Sequence, residues 1–170
     1  MDKLGVPARP VLPGERGAPV WPDGLAGSMT HCQGYCAAAL VRAADLASLG
    51  IDAEPHAPLP QGRPVLGGAA AEAARIGGLA EELPAVHWDR LLFSAKESVY
   101  KAWFPLTGKW LDFMEADLDL FTDPASAPAA VSGPPFSSPA RAWAPGWSIT
   151  SPPLDHGRGL VATAVAVPHG

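Results

Sequence analysis

One continuous stretch, residues 87–104, constrains the fold more than any other part of the sequence. Its apolar residues recur at intervals of three and four, at positions 88, 91, 92, 95, 99, 102 and 103. This period is typical of one buried face of an α-helix, so we predict a long helix here. Because Pro105 has no N–H and disfavours helical geometry in the residue before it, we expect the helix to end at Phe104.

The opposite face of this predicted helix is polar. It carries four side chains at intervals of three or four residues, Arg90, Ser94, Glu97 and Lys101. The simplest interpretation is a solvated face, on which a Glu97–Lys101 pair contributes only about 0.2–0.5 kcal/mol. A capping box between Ser94 and Glu97 fits less well, because the apolar stripe already starts at Trp88. Periodicity alone favours the solvated face over a functional one.

A second stretch, Gly50-Ile51-Asp52-Ala53-Glu54-Pro55, predicts a strand that ends at the proline. Asp52 and Glu54 are two residues apart, so on a strand both carboxylates project from one face, about 6–7 Å apart along the chain. Carboxylate oxygens suit Mg²⁺, which takes few protein ligands and keeps positions for water and substrate phosphates. The alternative is an exposed strand edge whose charges discourage pairing with another strand.

Two segments nearer the start of the chain are candidates for phosphate binding. Residues 13–19 predict consecutive turns, in which Gly17 would let the backbone approach a ligand and Arg16 would face a phosphate. Thr30 and His31, which we expect in a loop at a strand edge, offer a hydroxyl and a chargeable ring. The simpler interpretation of each segment is structural, a surface loop and a histidine satisfied by its neighbours.

The rest of the chain predicts short elements separated by turns. Residues 35–41 favour a buried strand, although the alanine-rich run also permits a short helix. The further predictions are a helix over 69–76 broken by Gly77-Gly78, one more turn over 80–83, an extended piece over 110–113, a half-buried strand over 117–122, and an antiparallel pair of strands over 147–150 and 160–167. Together these elements indicate an α+β protein.

Composition excludes several classes of protein. With 48% hydrophobic and 17% charged residues, the 170-residue chain can bury a core. Its net charge of −5 and its lack of a basic run argue against nucleic-acid binding, and no apolar run reaches the ~18 residues of a membrane span. Cys32 and Cys36 are too few for a disulfide framework and lack a second ligand pair for zinc. Since no signal peptide is evident, we expect a cytoplasmic protein with reduced thiols.

Three motifs follow one another along the chain, Gly27-Ser28-Met29-Thr30-His31, Gly50-Ile51-Asp52-Ala53-Glu54-Pro55 and Phe93-Ser94-Ala95-Lys96-Glu97-Ser98-Val99-Tyr100-Lys101. In this order and spacing they resemble the 4′-phosphopantetheinyl transferase superfamily, of the surfactin-synthetase and enterobactin-synthetase component D type. The similarity covers nearly the whole chain. It implies a monomer with two pseudo-symmetric lobes, each a small antiparallel sheet packed on a long helix. We divide the chain into a first lobe at 1–58, a connecting segment at 59–86 and a second lobe at 87–170.

The resemblance also implies an enzyme, a transferase of the holo-[acyl-carrier-protein] synthase type. Such enzymes move the 4′-phosphopantetheine arm of coenzyme A to a serine of an apo acyl or peptidyl carrier protein, with Mg²⁺, and release adenosine 3′,5′-bisphosphate. Their partners are the carrier domains of fatty-acid, polyketide and nonribosomal-peptide synthases, including those that make siderophores such as enterobactin.

Residue roles follow from the same resemblance. The implied metal ligands are Asp52, Glu54 and Glu97. Either Lys96 or Glu97 is implied to deprotonate the serine, directly or through a water, and Lys101 to contact the pyrophosphate of coenzyme A. The implied coenzyme A contacts are Thr30 and His31 at a phosphate and Arg16, Gly17, Ala18 and Pro19 in the loop on the adenine side.

The chain departs from the family pattern at its start. Family members of this type usually have several tens of residues before the position that Met1 matches, and that segment carries basic residues for the coenzyme A 3′-phosphate. The resemblance therefore implies an incomplete first lobe, with weaker coenzyme A binding and an exposed apolar patch. The alternative function is a truncated, inactive remnant that binds coenzyme A or a carrier domain without transfer.

Overall fold

The computed structural model describes residues 2–60, 70–116, 118, 120–121, 130–131, 148–150 and 159–170. In chain order the strands and helices are β1 (Leu12–Pro13), β2 (Pro19–Val20), β3 (Leu25–Cys32), β4 (Tyr35–Arg42), β5 (Ser48–Pro55), α1 (Ala70–Glu82), α2 (Trp88–Thr107), β6 (Leu120–Phe121), β7 (Ala130–Val131), β8 (Ser148–Thr150) and β9 (Leu160–Val167). The α+β prediction is confirmed. No helix within the described ranges is both long and apolar enough to cross a bilayer.

Helix α2 is the centre of the core, and it is buried on more than its apolar face. Thirteen of its twenty residues are buried. Ser94, one of the four residues of the predicted polar face, and its neighbour Ser98 form hydrogen bonds of 3.0 and 2.7 Å with the Thr163 hydroxyl of β9. The predicted solvated face was wrong for Arg90 and Ser94, which are buried, while Glu97 and Lys101 are not.

The helix also continues past its proline. Pro105 lies inside α2, which ends at Thr107, so the predicted end at Phe104 was wrong. Proline removes one hydrogen bond in the last turn, and the turn is closed by other groups. Gly108 adopts the left-handed conformation at φ 64° and donates its N–H to the Phe104 carbonyl at 2.8 Å, a glycine C-cap.

Helix α1 runs without a break through Gly77 and Gly78, where a break was predicted. Each glycine in a helix interior costs roughly 0.5–1 kcal/mol relative to alanine. Packing offsets this cost, because Ile76 and Leu79 lie against the hydrophobic core formed by α2 and its sheet. Residue 69, the predicted start of this helix, lies outside the described residues.

The main sheet has five antiparallel strands in the order β5-β9-β8-β7-β6. The predicted antiparallel pairing of the last two strands is confirmed, since Ser148–Thr150 pairs with residues 164–166; residue 147 of the predicted strand lies outside the described residues. Strand β5, which carries Asp52 and Glu54, pairs along its full length with β9, from Ser48 opposite Val167 to Pro55 opposite Leu160. Strand β5, and with it Asp52 and Glu54, is therefore held in place by β9.

Two predictions for the segment after α2 have different outcomes. The piece predicted to be extended, residues 110–113, belongs to no helix or strand, and a turn begins at its last residue, Phe113. Of the strand predicted over 117–122, only Leu118 and Leu120–Phe121 are described, and the latter form β6; residues 117, 119 and 122 lie outside the described residues. The division into lobes at 58 and 86 stays a prediction.

Strands β3 and β4 form a separate hairpin. Leu25–Cys32 pairs with Tyr35–Arg42 over eight residues, so residues 35–41 form the predicted strand and the helical alternative was wrong. The prediction that this strand is buried was also wrong, because its residues are half-buried or exposed along its whole length. Strand β3 was not predicted, and Thr30 and His31 were expected in a loop. Both residues lie inside strand β3. After β3 the chain turns back into β4 through Gly34, whose φ is 76°.

The hairpin joins the main sheet through side chains. The Ser28 hydroxyl accepts the N–H of Ile51 at 3.0 Å, and the Thr30 hydroxyl accepts the N–H of Ala53 at 3.0 Å. These two hydroxyls satisfy N–H groups on the edge of β5 that faces away from β9. Strand β3 therefore covers that edge without a backbone hydrogen-bond ladder.

Candidate functional site

A cleft of about 680 Å³ opens where the loop between β1 and β2, the hairpin, β5 and α2 meet. Every residue that the sequence analysis singled out as a site residue lines this cleft, except Lys96. The predicted site residues that line the cleft are Arg16, Gly17, Ala18, Pro19, Thr30, His31, Asp52, Glu54, Glu97 and Lys101. Segments far apart in the sequence thus contribute to one concave surface, the usual location of a small-molecule site.

Gly50 sets the distance between β5 and α2. A Cβ built on Gly50 would lie 1.9 Å from the Ser98 carbonyl oxygen and 2.9 Å from the Ala102 nitrogen. Only glycine permits this approach of strand to helix backbone. As a result Asp52, two residues along β5, lies within reach of Lys101, one turn along α2.

Asp52 is the most enclosed acid of the cleft, at 5% exposure. Its Oδ1 accepts hydrogen bonds from Lys101 Nζ at 2.6 Å and from the Thr30 hydroxyl at 3.0 Å. Its Oδ2 is buried and has no hydrogen-bond partner. An unsatisfied buried carboxylate oxygen is costly, so this atom fits the coordination of a cation.

Lys101 keeps part of its donor capacity for the cleft. Its ammonium donates to Asp52 Oδ1 and, at 3.2 Å, to the Ile51 carbonyl. A lysine ammonium has three N–H groups, so one remains after these two contacts. With a side chain 26% exposed, Lys101 can direct that third donor to an anion in the cleft.

The other two predicted ligands, Glu54 and Glu97, face the same cleft from β5 and α2. Glu54 Oε2 accepts a hydrogen bond from Arg90 Nη1 at 2.9 Å. Among the residues that the structure describes, no three His, Cys, Asp or Glu side chains converge closely enough to enclose an ion. The three acids therefore share a cleft, and among the described residues Asp52 Oδ2 is the one buried carboxylate oxygen there without a hydrogen-bond partner.

Lys96 lies away from the cleft. Its Nζ is 2.8 Å from Glu72 Oε2 and 2.9 Å from the Phe113 carbonyl, and the Lys96 and Glu72 side chains are 1% and 2% exposed. Glu72 Oε1 also accepts the N–H of Leu118 at 3.4 Å. This buried ion pair ties α1 to α2 and to the segment after α2. Of the two bases that the resemblance allowed, only Glu97 faces the cleft.

Tyr100, an aromatic residue outside the predicted site set, lines the cleft and packs against Trp110. The Arg16 guanidinium is 5.6 Å from the centroid of a Trp110 ring, and the Tyr100 ring is 5.0 Å from Trp110. Arg16 adopts the left-handed backbone conformation, φ 53° and ψ 24°, which is uncommon outside glycine. Burial raises the pKa of Tyr100, Arg16 opposes that shift and Glu97 adds to it, so the phenol stays protonated and can donate.

The two cysteines lie on the hairpin. Cys36 is opposite His31 in the strand register, and both line the cleft. Burial raises the pKa of the Cys32 thiol, and the charges of Glu54 and Asp52 raise it further. Cys32 is therefore held in its thiol form, and both cysteines are free.

Comparison with known proteins agrees with this geometry. A family model described as the 4′-phosphopantetheinyl transferase N-terminal domain matches residues 1–42, and one described as the 4′-phosphopantetheinyl transferase superfamily matches residues 48–150. The second match alone covers more than half of the chain. The two matched regions carry all the cleft residues described above.

Three relatives are named 4′-phosphopantetheinyl transferases. Svp of Streptomyces mobaraensis is 52% identical over 98% of this chain and 66% of its own length. PptT of Mycobacterium tuberculosis is 43% identical over 98% of this chain and 73% of its own length. Npt of Nocardia iowensis is 50% identical over 75% of this chain and 56% of its own length. The chain spans about two thirds of the length of Svp and over half that of Npt, and by motif, cleft and sequence it belongs to the 4′-phosphopantetheinyl transferase superfamily.

Proposed function

We propose that this chain transfers the 4′-phosphopantetheine arm of coenzyme A to a serine of an apo carrier protein and releases adenosine 3′,5′-bisphosphate. The observation that carries the proposal is the environment of Asp52. One of its oxygens is held by Lys101 and Thr30, while the other is buried without a hydrogen-bond partner. A cation beside a phosphate-binding lysine is what transfer of a charged phosphoryl group requires.

Coenzyme A would lie along the cleft with its adenine end toward the loop between β1 and β2. Arg16 supplies positive charge there, and Gly17, at φ 77°, presents backbone without a side chain. Thr30 and His31 on β3 are proposed to contact a phosphate, and the third donor of Lys101 the pyrophosphate. These contacts would fix the reacting phosphorus without covalent help, which suits a reaction that depends mainly on positioning.

Mg²⁺ is the metal we propose, held through Asp52 Oδ2 with Glu54 and Glu97 as further carboxylate ligands. Hard oxygen ligands with room for water and substrate phosphate are typical of Mg²⁺ sites. When bound, the ion supplies positive charge against the pyrophosphate and the leaving phosphate.

Glu97 is proposed to accept the proton of the carrier serine, directly or through a water. The serine oxygen then forms its bond to the β-phosphorus, and the bond from that phosphorus to the oxygen of the departing adenosine bisphosphate breaks. We do not assign this step to Lys96, whose side chain is buried in an ion pair with Glu72. The carboxylate of Glu97, on the cleft wall, has both the chemistry and the access for the step.

The partner and the setting are part of the proposal. The carrier would be an acyl or peptidyl carrier domain of a fatty-acid, polyketide or nonribosomal-peptide synthase, including siderophore pathways of the enterobactin kind. The names of the three relatives support transfer of this group. We propose a cytoplasmic monomer, in keeping with the two free thiols.

Mass spectrometry of the intact carrier protein tests this function. The apo carrier is incubated with the chain, coenzyme A and Mg²⁺, beside a Glu97→Ala variant and an EDTA control. We expect the carrier to gain the mass of one phosphopantetheine group, and both controls to abolish the gain. Loss of transfer in Asp52→Asn, whose carboxylate charge is removed, would support the role of that acid.

Two negative results have different meanings. If the carrier gains no mass while coenzyme A still binds in a titration, the chain is a binding protein without transferase activity. If transfer proceeds unchanged in EDTA, the metal role of Asp52, Glu54 and Glu97 is wrong, although the transferase assignment stands.

A further inference from the structure

Arg90, in the first turn of α2, directs its whole guanidinium to one short stretch of chain. Nη1 donates to Glu54 Oε2 at 2.9 Å, Nε to the Ala57 carbonyl at 3.0 Å and Nη2 to the Pro58 carbonyl at 2.9 Å. The Arg90 side chain is 11% exposed and does not line the cleft. All three contacts hold the end of β5 and the loop that follows it.

Arg90 binds only one oxygen of the Glu54 carboxylate. Arginine often grips a carboxylate through both oxygens, but here its other donors go to backbone carbonyls. Glu54 Oε2 is taken, and within the described part of the chain no residue donates a hydrogen bond to Oε1. Arg90 therefore fixes the carboxylate by one oxygen and leaves the other for a ligand in the cleft.

The same loop has other anchors, and none of them touches Glu54. Asp89 Oδ2 accepts the N–H of Leu59 at 2.9 Å. The His87 N–H donates to His56 Nε2 at 3.3 Å, and the two imidazole rings lie edge to face at 4.7 Å. What Arg90 adds to these anchors is the orientation of a carboxylate that faces the cleft.

We propose that Arg90 is a positioning residue, which orients the Glu54 carboxylate so that its second oxygen meets the metal. The inference rests on the proposed function and adds to it a residue outside the cleft. Two effects of Arg90 oppose each other, because its positive charge repels a cation while its hydrogen bond orients the ligand. Arg90→Lys separates them, since lysine keeps the charge and cannot hold three acceptors in the planar arrangement of a guanidinium.

Direct metal binding is the measurement. Mn²⁺ is titrated into the full 170-residue chain saturated with coenzyme A, and free Mn²⁺ is followed by electron paramagnetic resonance. We expect Arg90→Lys to raise the Kd for Mn²⁺ by about 10–100-fold, as loss of an outer-shell partner typically does. The Kd for coenzyme A, measured in EDTA, stays at the wild-type value.

Two controls isolate the role of Glu54. Asp89→Asn weakens a loop anchor without touching Glu54, so it should leave the Mn²⁺ Kd unchanged. In a Glu54→Gln background, Arg90→Lys should cause no further loss of affinity, because the group it orients is already gone. If Arg90→Lys fails to fold, Arg90→Gln, which keeps a donor for the loop carbonyls, carries the same expectation.

Several results would overturn the inference. If Arg90→Lys binds Mn²⁺ with the wild-type Kd, or if Asp89→Asn raises that Kd as much as Arg90→Lys does, then Arg90 only anchors the loop. Additive losses in the Glu54→Gln background would show that Arg90 acts by another route. In each of these cases wild-type binding and transfer stand, so only the inference fails. If the wild-type chain binds no Mn²⁺, the proposed metal site fails and the inference with it.

Discussion

Thr30 supports the cleft with a single hydroxyl that forms two hydrogen bonds. Its Oγ1 donates to Asp52 Oδ1 and accepts the N–H of Ala53, both at 3.0 Å. Thr30 was predicted as a phosphate contact, both from its hydroxyl beside His31 and from the family resemblance, and these two bonds were not predicted. They depend on the position of β3 beside β5, which no local pattern reports.

Replacement of Thr30 should therefore lower stability before any ligand is added. In Thr30→Val the N–H of Ala53 and one acceptor position of Asp52 lose their partner, a cost of about 1–3 kcal/mol in the free energy of unfolding. Thr30→Ser keeps the hydroxyl and should stay close to wild type. Urea denaturation of the three proteins measures the difference. A loss in Thr30→Ser with none in Thr30→Val would show that the methyl group matters rather than the hydroxyl.

Lys96, a residue of the third motif, lies in a buried ion pair with Glu72. Lys96→Met leaves Glu72 buried without its partner, and we expect a loss of about 3–5 kcal/mol in the free energy of unfolding. The double variant Lys96→Met/Glu72→Leu, in which no charge is left unpaired, should recover most of that loss. Chemical denaturation measures both variants.

The double variant also tests whether Lys96 is the general base of the transfer reaction. If it is folded and still transfers phosphopantetheine in the mass assay, Lys96 is not the base. A folded double variant that binds coenzyme A and transfers no phosphopantetheine would indicate that Lys96 takes part in the reaction. Sequence periodicity placed Lys96 on the flank of the helix but could not find Glu72, because the two residues meet only after α1 packs against α2.

At the scale of elements, α2 and β5 were predictable and the contact between them was not. The helix follows from its apolar period and the strand from its alternation. Burial of Ser94 and Ser98 under β9 depends on a strand more than sixty residues away along the chain. The error at Pro105 has a local cause, since a proline in the last turn removes only one hydrogen bond and Gly108 supplies the cap.

The variant Gly50→Ala tests the contact between β5 and α2. Gly50→Ala places a Cβ against the backbone of Ser98, so β5 must move away from α2. Overpacking of this kind costs typically 1–3 kcal/mol, and more where backbone has to shift. Thermal unfolding should show a lowered Tm, and the Mn²⁺ Kd should rise because Asp52 moves with the strand.

Gly77→Ala is the matched control for that substitution. Gly77 lies in α1 with nothing within 4 Å of a built Cβ. The same chemical change should there stabilise the protein by about 0.5–1 kcal/mol, because alanine favours the helix. A lowered Tm in Gly77→Ala, or an unchanged one in Gly50→Ala, would contradict this account of the two positions.

At the scale of the whole molecule, the last strand completes the core. β9 pairs with β5 on one side and β8 on the other, and its Val161, Val165 and Val167 are buried. The sequence predicted β9 and its partner β8 because they are close along the chain. It gave no signal for the pairing with β5, which joins residues 48–55 to residues 160–167.

Deletion of residues 160–170 should therefore prevent folding and not only trim the chain. We expect the shortened protein to lose its cooperative urea transition, followed by tryptophan fluorescence, and to lose coenzyme A binding. Deletion of residues 168–170, which are exposed, should leave the transition in place. A cooperative transition without β9 would mean that α2 and β5 form a core without it.

The join between the hairpin and the main sheet has a consequence for aggregation. Without Ser28 and Thr30, two N–H groups on the outer edge of β5 would lie unpaired, and an open edge is a template for strands of other molecules. The hydroxyl that steadies Asp52 is also one that closes this edge. A substitution that removes the Thr30 hydroxyl therefore loosens Asp52 and opens this edge of β5 at the same time.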